Sequence, residues 1–120
     1  MNEPPNSETL RQVAVAALED IKARDIVVMD VKQLTSIADF MIVASGESAR
    51  QTKALARNLV EKAKAAGAQV MGVEGEESGD WILVDLGSVI VHIMHPAVRA
   101  YYNLEELWGA SPSRARGISP

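Results

Sequence analysis

Two apolar runs separated by a glycine and a serine limit how the rest of the chain can fold. Trp81-Ile82-Leu83-Val84-Asp85-Leu86 and Val89-Ile90-Val91-His92-Ile93-Met94 flank Gly87-Ser88, the spacing of a β-hairpin with a two-residue turn of Gly-X type. Side chains alternate across a strand. Ile82, Val84 and Leu86 therefore share a face, and Val89, Val91 and Ile93 do the same on the partner strand. That face is wholly aliphatic and must be buried. The other carries Trp81, Leu83, Asp85, Ile90, His92 and Met94, apolar surface with polar handles, which is the composition of an interface core. Either a partner covers this second face or a helix or loop of the same chain does. A sheet with one fully apolar face needs helices laid against it.

Two segments supply such helices. Leu10, Val13, Ala14, Ala17, Leu18 and Ile21 recur at i, i+3, i+4, i+7, i+8 and i+11, a single apolar stripe at helical period. Ser7 stands before it as an N-cap, and Arg24-Asp25 ends it. Leu55, Ala56, Leu59, Val60 and Ala63 form a second stripe. Ser48 and Gln51 precede it at capping-box spacing, and Gly67 is a natural stop. The remaining apolar runs, Ile26 to Met29, Phe40 to Ala44 and Gln69 to Val73, read as strands. Glu74 to Asp80 is a glycine-bearing acidic turn that makes a further hairpin. The strand–helix–strand unit from Phe40 to Val73 predicts parallel strands with a right-handed crossover. Pro96 opens a closing helix. Within it Tyr101, Leu104, Leu107 and Trp108 fall on one stripe that packs on the sheet. Tyr102 sits at the margin of that stripe, and Arg99 is an exposed residue pairing with Glu106 or with another acidic group nearby.

The predicted order is helix, strand, strand, helix, strand, strand, strand, helix: a single α/β domain with a five-stranded mixed β-sheet packed with helices. Its 120 residues are one domain's worth, with 48% hydrophobic and 23% charged residues. Residues 1 to 6 read as a flexible tail, 7 to 108 as the domain and 109 to 120 as a disordered tail. Cysteine is absent, which excludes disulfides, thiolate metal sites and cysteine nucleophiles. The formal net charge of −4 is the wrong sign for a nucleic-acid binder. No apolar run reaches the roughly 20 residues that span a bilayer, and no targeting signal opens the chain, so the expected setting is cytoplasmic, with no membrane partner.

Enzymatic signatures are thin. Ser45-Gly46-Glu47-Ser48 lies between a strand and a helix, where amides could hold an anion. It lacks the lysine and spacing of a phosphate loop, and capping is the simpler role. Metal-assisted phosphoryl or nucleotidyl transfer needs converging carboxylates. The strand through Asp85 has only that one internal acid, with Asp30 and Asp39 near other strand ends. His92 and His95, the only histidines, project to opposite faces of a strand. The residues therefore imply no catalytic group, no metal and no cofactor. The alternative of a small nucleotidyltransferase-like enzyme or nucleotide-binding protein stays open on those three carboxylates.

Three blocks carry a resemblance. Ala38-Asp39-Phe40-Met41-Ile42-Val43-Ala44-Ser45-Gly46 resembles the pattern ADxFVIATG. Gly72-Val73-Glu74-Gly75 followed by Asp80 to Met94 resembles EG…WxLxDxGDVxVHxF, with Ser88 standing where the pattern has Asp. Arg99 to Trp108 resembles RxFYxLExLW. In this order they resemble the ribosomal silencing factor family, RsfS or Iojap. The resemblance implies a nucleotidyltransferase-like fold without the catalytic carboxylate pair. It also implies a translational repressor that binds large-subunit ribosomal protein number fourteen and sterically blocks subunit association under nutrient limitation. The expected partner-binding residues are Trp81, Leu83, Asp85, Ile90, His92, Met94, Arg99 and Tyr102. Contact with ribosomal RNA would be peripheral, through Arg114 and Arg116, and pairing of the free protein with itself is left open.

Overall fold

The computed structural model describes residues 3–107. The first helix, α1 (Ser7–Asp20), is capped by Asn6, whose Oδ1 accepts from the Thr9 amide at 2.8 Å. Ser7, expected in that role, is already helical. Both residue types cap well, and neighbouring candidates leave the choice to the backbone. The helix closes with Lys22 in the left-handed region (φ 66°) and with bonds from the Lys22 amide to Glu19 and the Ala23 amide to Leu18, a Schellman stop made without glycine.

Strands β1 (Arg24–Asp30) and β2 (Phe40–Ser45) pair antiparallel, with one extra residue on β1 between Arg24 and Val27. Helix α2 (Ala49–Ala65) starts at Ser48, whose Oγ accepts from the Gln51 amide at 3.1 Å. Gln51 does not complete the capping box. Its Oε1 takes the Glu47 amide, and its Nε2 donates to the Ile21 and Lys22 carbonyls, each at 3.0 Å. One amide thus caps the start of α2 and the end of α1. Gly67, at φ 94°, makes the Schellman stop of α2, with the Gly67 and Ala68 amides returning to Lys64 and Ala63.

The chain then runs through β3 (Gly72–Glu74), β4 (Trp81–Asp85) and β5 (Val89–Met94) into the sheet order β1-β2-β5-β4-β3. β5 enters between β4 and β2, parallel to β2. The parallel relation expected of β2 and the third strand holds in direction, but the two lie apart. β3 begins at Gly72, later than expected, although the Met71 amide already bonds the Asp85 carbonyl at 2.7 Å. The β4–β5 turn closes with Leu86 donating to the Val89 carbonyl, and only Gly87 of its two central residues has positive φ, as a II′ turn requires.

Helices α1 and α2 cover one face, burying Phe40, Ile42, Ala44, Ile82, Val84, Leu86, Val89, Val91 and Ile93 with Leu10, Leu18, Leu55 and Leu59. This is the aliphatic phase of the hairpin, packed as its pattern demands. Across the sheet a smaller cluster joins Met29, Val31, Met41, Val43 and Met94, flanked by Val27, Trp81, Val98 and Leu104. The closing segment is two helices, α3 (Pro96–Tyr102) and α4 (Leu104–Leu107), broken at Asn103 in the left-handed region (φ 50°). Trp108, the tail from Gly109, Arg114 and Arg116 lie outside the described residues, as does the side chain of Leu107.

Candidate protein-docking surface

Burial along the strands shows how far the second face is covered. Every residue of β2 and β5 is buried, whereas β4 alternates between half-buried and buried. Cover on that face therefore stops over β5. Its outer strip, Trp81, Leu83 and Asp85, is half-open, bordered by β3 residues Gly72 and Glu74 opposite Asp85 and Leu83. A methyl group placed on Gly72 would meet nothing within 4 Å. The chain's own closing segment therefore covers part of the face and leaves the rest open.

The expected site residues divide accordingly. Met94 is fully buried in the second cluster, and Ile90 and His92 are 8% and 7% exposed. Asp85 is held by its own turn, its Oδ1 accepting from the Gly87 amide at 2.9 Å. Trp81 leans across the strand pair, and its indole N–H donates to His92 Nδ1 at 2.9 Å. Its ring meets Tyr102 at 4.7 Å between centroids, and Tyr102 meets Tyr101 edge-on at 5.0 Å. The row His92, Trp81, Tyr102, Tyr101 passes from the interior to solvent, with Tyr102 52% and Tyr101 81% exposed.

Two expectations for the closing helix are corrected. Tyr101 does not pack on the sheet. Counting it with Leu104 assumed one continuous helix, and the turn at Asn103 removes that relation. Asparagine is the side chain most at ease in the left-handed region after glycine, so Asn103 itself was the signal that could have revealed Tyr101. Arg99 is not a surface residue. It is buried, donates to Ser45 Oγ at 2.8 Å, and holds Glu105 through Nε at 3.1 Å and Nη2 at 2.9 Å. The acidic partner is thus the neighbouring Glu105, while Glu106 accepts from Asn103 Nδ2.

Chemistry of other kinds finds little here. The Gly46, Glu47 and Gln51 amides at the start of α2 donate to the Met94 carbonyl and to the Gln51 and Ser48 side chains, so the loop caps this helix. Asp30 engages Lys32, whose backbone N–H and ammonium hold its carboxyl below the usual carboxylate range. No group of three or more His, Asp or Glu that could hold a metal occurs among the described residues. His95 caps α3, its Nδ1 accepting from the Ala97 amide at 3.2 Å. No helix among the described residues is long and apolar enough to cross a membrane.

A face half-covered by its own chain and ending in an aromatic row is suited to binding another macromolecule, and comparison with known proteins places it in a family. A protein of Chromobacterium violaceum named ribosomal silencing factor RsfS is 52% identical over 113 residues, covering 93% of each chain. A crystal structure from that organism superposes with a TM-score of 0.87 at 50% identity over 89% of each chain. The mouse protein named mitochondrial assembly of ribosomal large subunit protein 1 is 35% identical over 97 residues, 78% of this chain and 42% of that one. The family model described as ribosomal silencing factor during starvation matches residues 4–119. The chain belongs to the ribosomal silencing factor family.

Proposed function

We propose that this protein represses translation in starved cells by docking on the large ribosomal subunit and obstructing the approach of the small one. The contact is made with large-subunit ribosomal protein number fourteen, through the open strip of β4 and the rings beside it. The observation that carries this reading is the row of Trp81, Tyr102 and Tyr101 at the edge of a half-covered sheet face. Large aromatic side chains of this kind dominate binding energy at interfaces. Trp81, Tyr102, Leu83 and Asp85 are the contact residues. Ile90, Met94 and Arg99 act from beneath, by holding the strip and α3 in place.

Charge supports the same partner. A protein with a net charge of −4 is drawn toward the basic proteins of a ribosome without basic patches of its own. Glu74, Glu76, Glu77 and Asp80 are exposed on the turn that leads into Trp81, so the acidic surface adjoins the strip. Repression by obstruction needs only a well-placed, tight contact and no reacting group.

The test is co-sedimentation with purified large subunits and capture of isolated ribosomal protein number fourteen. Wild type should bind both, and Trp81→Ala should weaken each by at least ~2 kcal/mol, or about thirty-fold. Binding to the small subunit alone, or to neither particle, would refute the proposal.

A further inference from the structure

We propose that His92 is a positioning residue: a buried acceptor that fixes the Trp81 indole in its docking orientation rather than touching the partner itself. The inference rests on the docking role given to Trp81 above and adds how that ring is held ready.

The geometry leaves His92 little other work. It lies in β5 opposite Leu83, is 7% exposed, and offers almost no surface to a partner. Its Nδ1 is occupied by the indole N–H at 2.9 Å. An indole nitrogen can only donate, so Nδ1 must be the bare nitrogen and the imidazole proton must sit on Nε2. Burial pushes the imidazole down to about 4, so the ring is neutral near pH 7 and the acceptor is present. Trp81 is then held on two sides. His92 fixes the N–H edge, and Tyr102 lies against the ring at 4.7 Å with 46° between planes. Without an acceptor on β5 the indole would turn its N–H toward water and leave Tyr102. Binding would then have to restore the orientation, and ordering a large side chain at an interface costs affinity.

The expectation can be tested on the free protein and on the complex. In a Trp108→Phe background Trp81 is the only indole, and its N–H gives a single resonance. Asparagine and leucine branch alike at Cγ, but only asparagine carries an acceptor near the place of Nδ1, so His92→Asn and His92→Leu form the informative pair. His92→Leu should move the indole resonance and speed its hydrogen exchange. It should also weaken large-subunit binding about ten-fold, the worth of one hydrogen bond of ordinary strength. His92→Asn should restore most of both. Imidazole nitrogen shifts of the wild type, which need no variant to fold, should report the Nε2–H tautomer. A proton on Nδ1, or an indole signal and affinity unchanged in His92→Leu, would overturn the inference. So would equal losses in the two variants, because packing alone would then explain them. If wild type fails to bind large subunits, the docking role falls, and the tautomer and indole exchange still decide whether His92 holds the ring.

Discussion

Replacing Arg99 with alanine should cost this domain about 3–5 kcal/mol, the range for breaking one side of a buried ion pair. The size follows from what the side chain leaves behind. Arg99 and Glu105 side chains are only 10% and 17% exposed, and two guanidinium nitrogens hold the two carboxylate oxygens. Removing the guanidinium strands Glu105 away from water and takes the third bond, to Ser45, with it. A surface pair would contribute only about 0–1 kcal/mol, so the two descriptions of Arg99 differ by a measurable amount. With total stabilities of roughly 5–15 kcal/mol, Arg99→Ala should lower the thermal midpoint by ~10–20 °C. Replacing both partners, Arg99→Met with Glu105→Leu, should recover most of the loss, because no charge is then left unpaired. Thermal melts of the two single variants and the double variant decide the matter. A midpoint for Arg99→Ala within about 2 °C of wild type would show the pair to be solvated and the reasoning wrong.

Other perturbations read other parts of the structure. His92 lies near 4 in the fold against its ordinary 6.5, so above pH 6.5 it is neutral in both states and costs nothing. Between 6.5 and 4 the unfolded chain takes up a proton that the fold refuses, and about 3 kcal/mol of stability should drain away. Urea midpoints from pH 8 to 4 should show that loss in wild type and not in His92→Asn; equal slopes would contradict it. Gly75→Ala should be severely destabilising, since φ is +88° and a Cβ there would stand 2.1 Å from the Trp81 carbonyl oxygen; a normal melt would refute this. Leu104→Ala should cost roughly 1–3 kcal/mol by the same melt, at or below the usual cost of a core truncation, because Leu104 is a partly buried flank of the second cluster. A loss below about 0.5 kcal/mol, the size of an ordinary surface change, would place it outside the cluster.

Much of this architecture is visible in the chain itself, for a definite reason. Ile82, Val84, Leu86, Val89, Val91 and Ile93 form a purely aliphatic phase that alternates with one carrying Trp81, Asp85 and His92, and that alternation directly encodes which face lies under the helices. Strand order is another matter. The Gly87-Ser88 turn makes β5 antiparallel to β4, but nothing local to β5 says that it also pairs in parallel with β2, because that contact is distant in sequence. Met94 shows a further limit. A methionine suits a core as well as an interface, and only the packing of Met29, Met41 and Val43 against it settles the matter. Arg99 reads as a surface residue because long charged side chains usually are. Its burial depends on Ser45 and on Glu105, which the turn at Asn103 brings back beneath it. The open strip of β4 was legible as part of a face, and its extent was not.

If the open strip of β4 and its aromatic row hold this protein on the large subunit and keep the small subunit away, added protein should slow the joining of the two subunits. Light scattering during association of purified subunits reads that joining, with Tyr102→Ala as the comparison. Tyr102 is 52% exposed and packs on Trp81, so its truncation should cost about 1–2 kcal/mol, chiefly the lost aromatic contact, and leave the domain folded. Pre-incubation of large subunits with wild type should suppress the association signal in proportion to occupancy. Tyr102→Ala, folded at the assay temperature by its thermal melt, should need roughly ten-fold or more additional protein for the same effect, as expected for loss of an aromatic anchor. Undiminished subunit joining with wild type at saturation would show that the protein does not obstruct the small subunit, and equal inhibition by the two proteins would show that the aromatic row does not hold it.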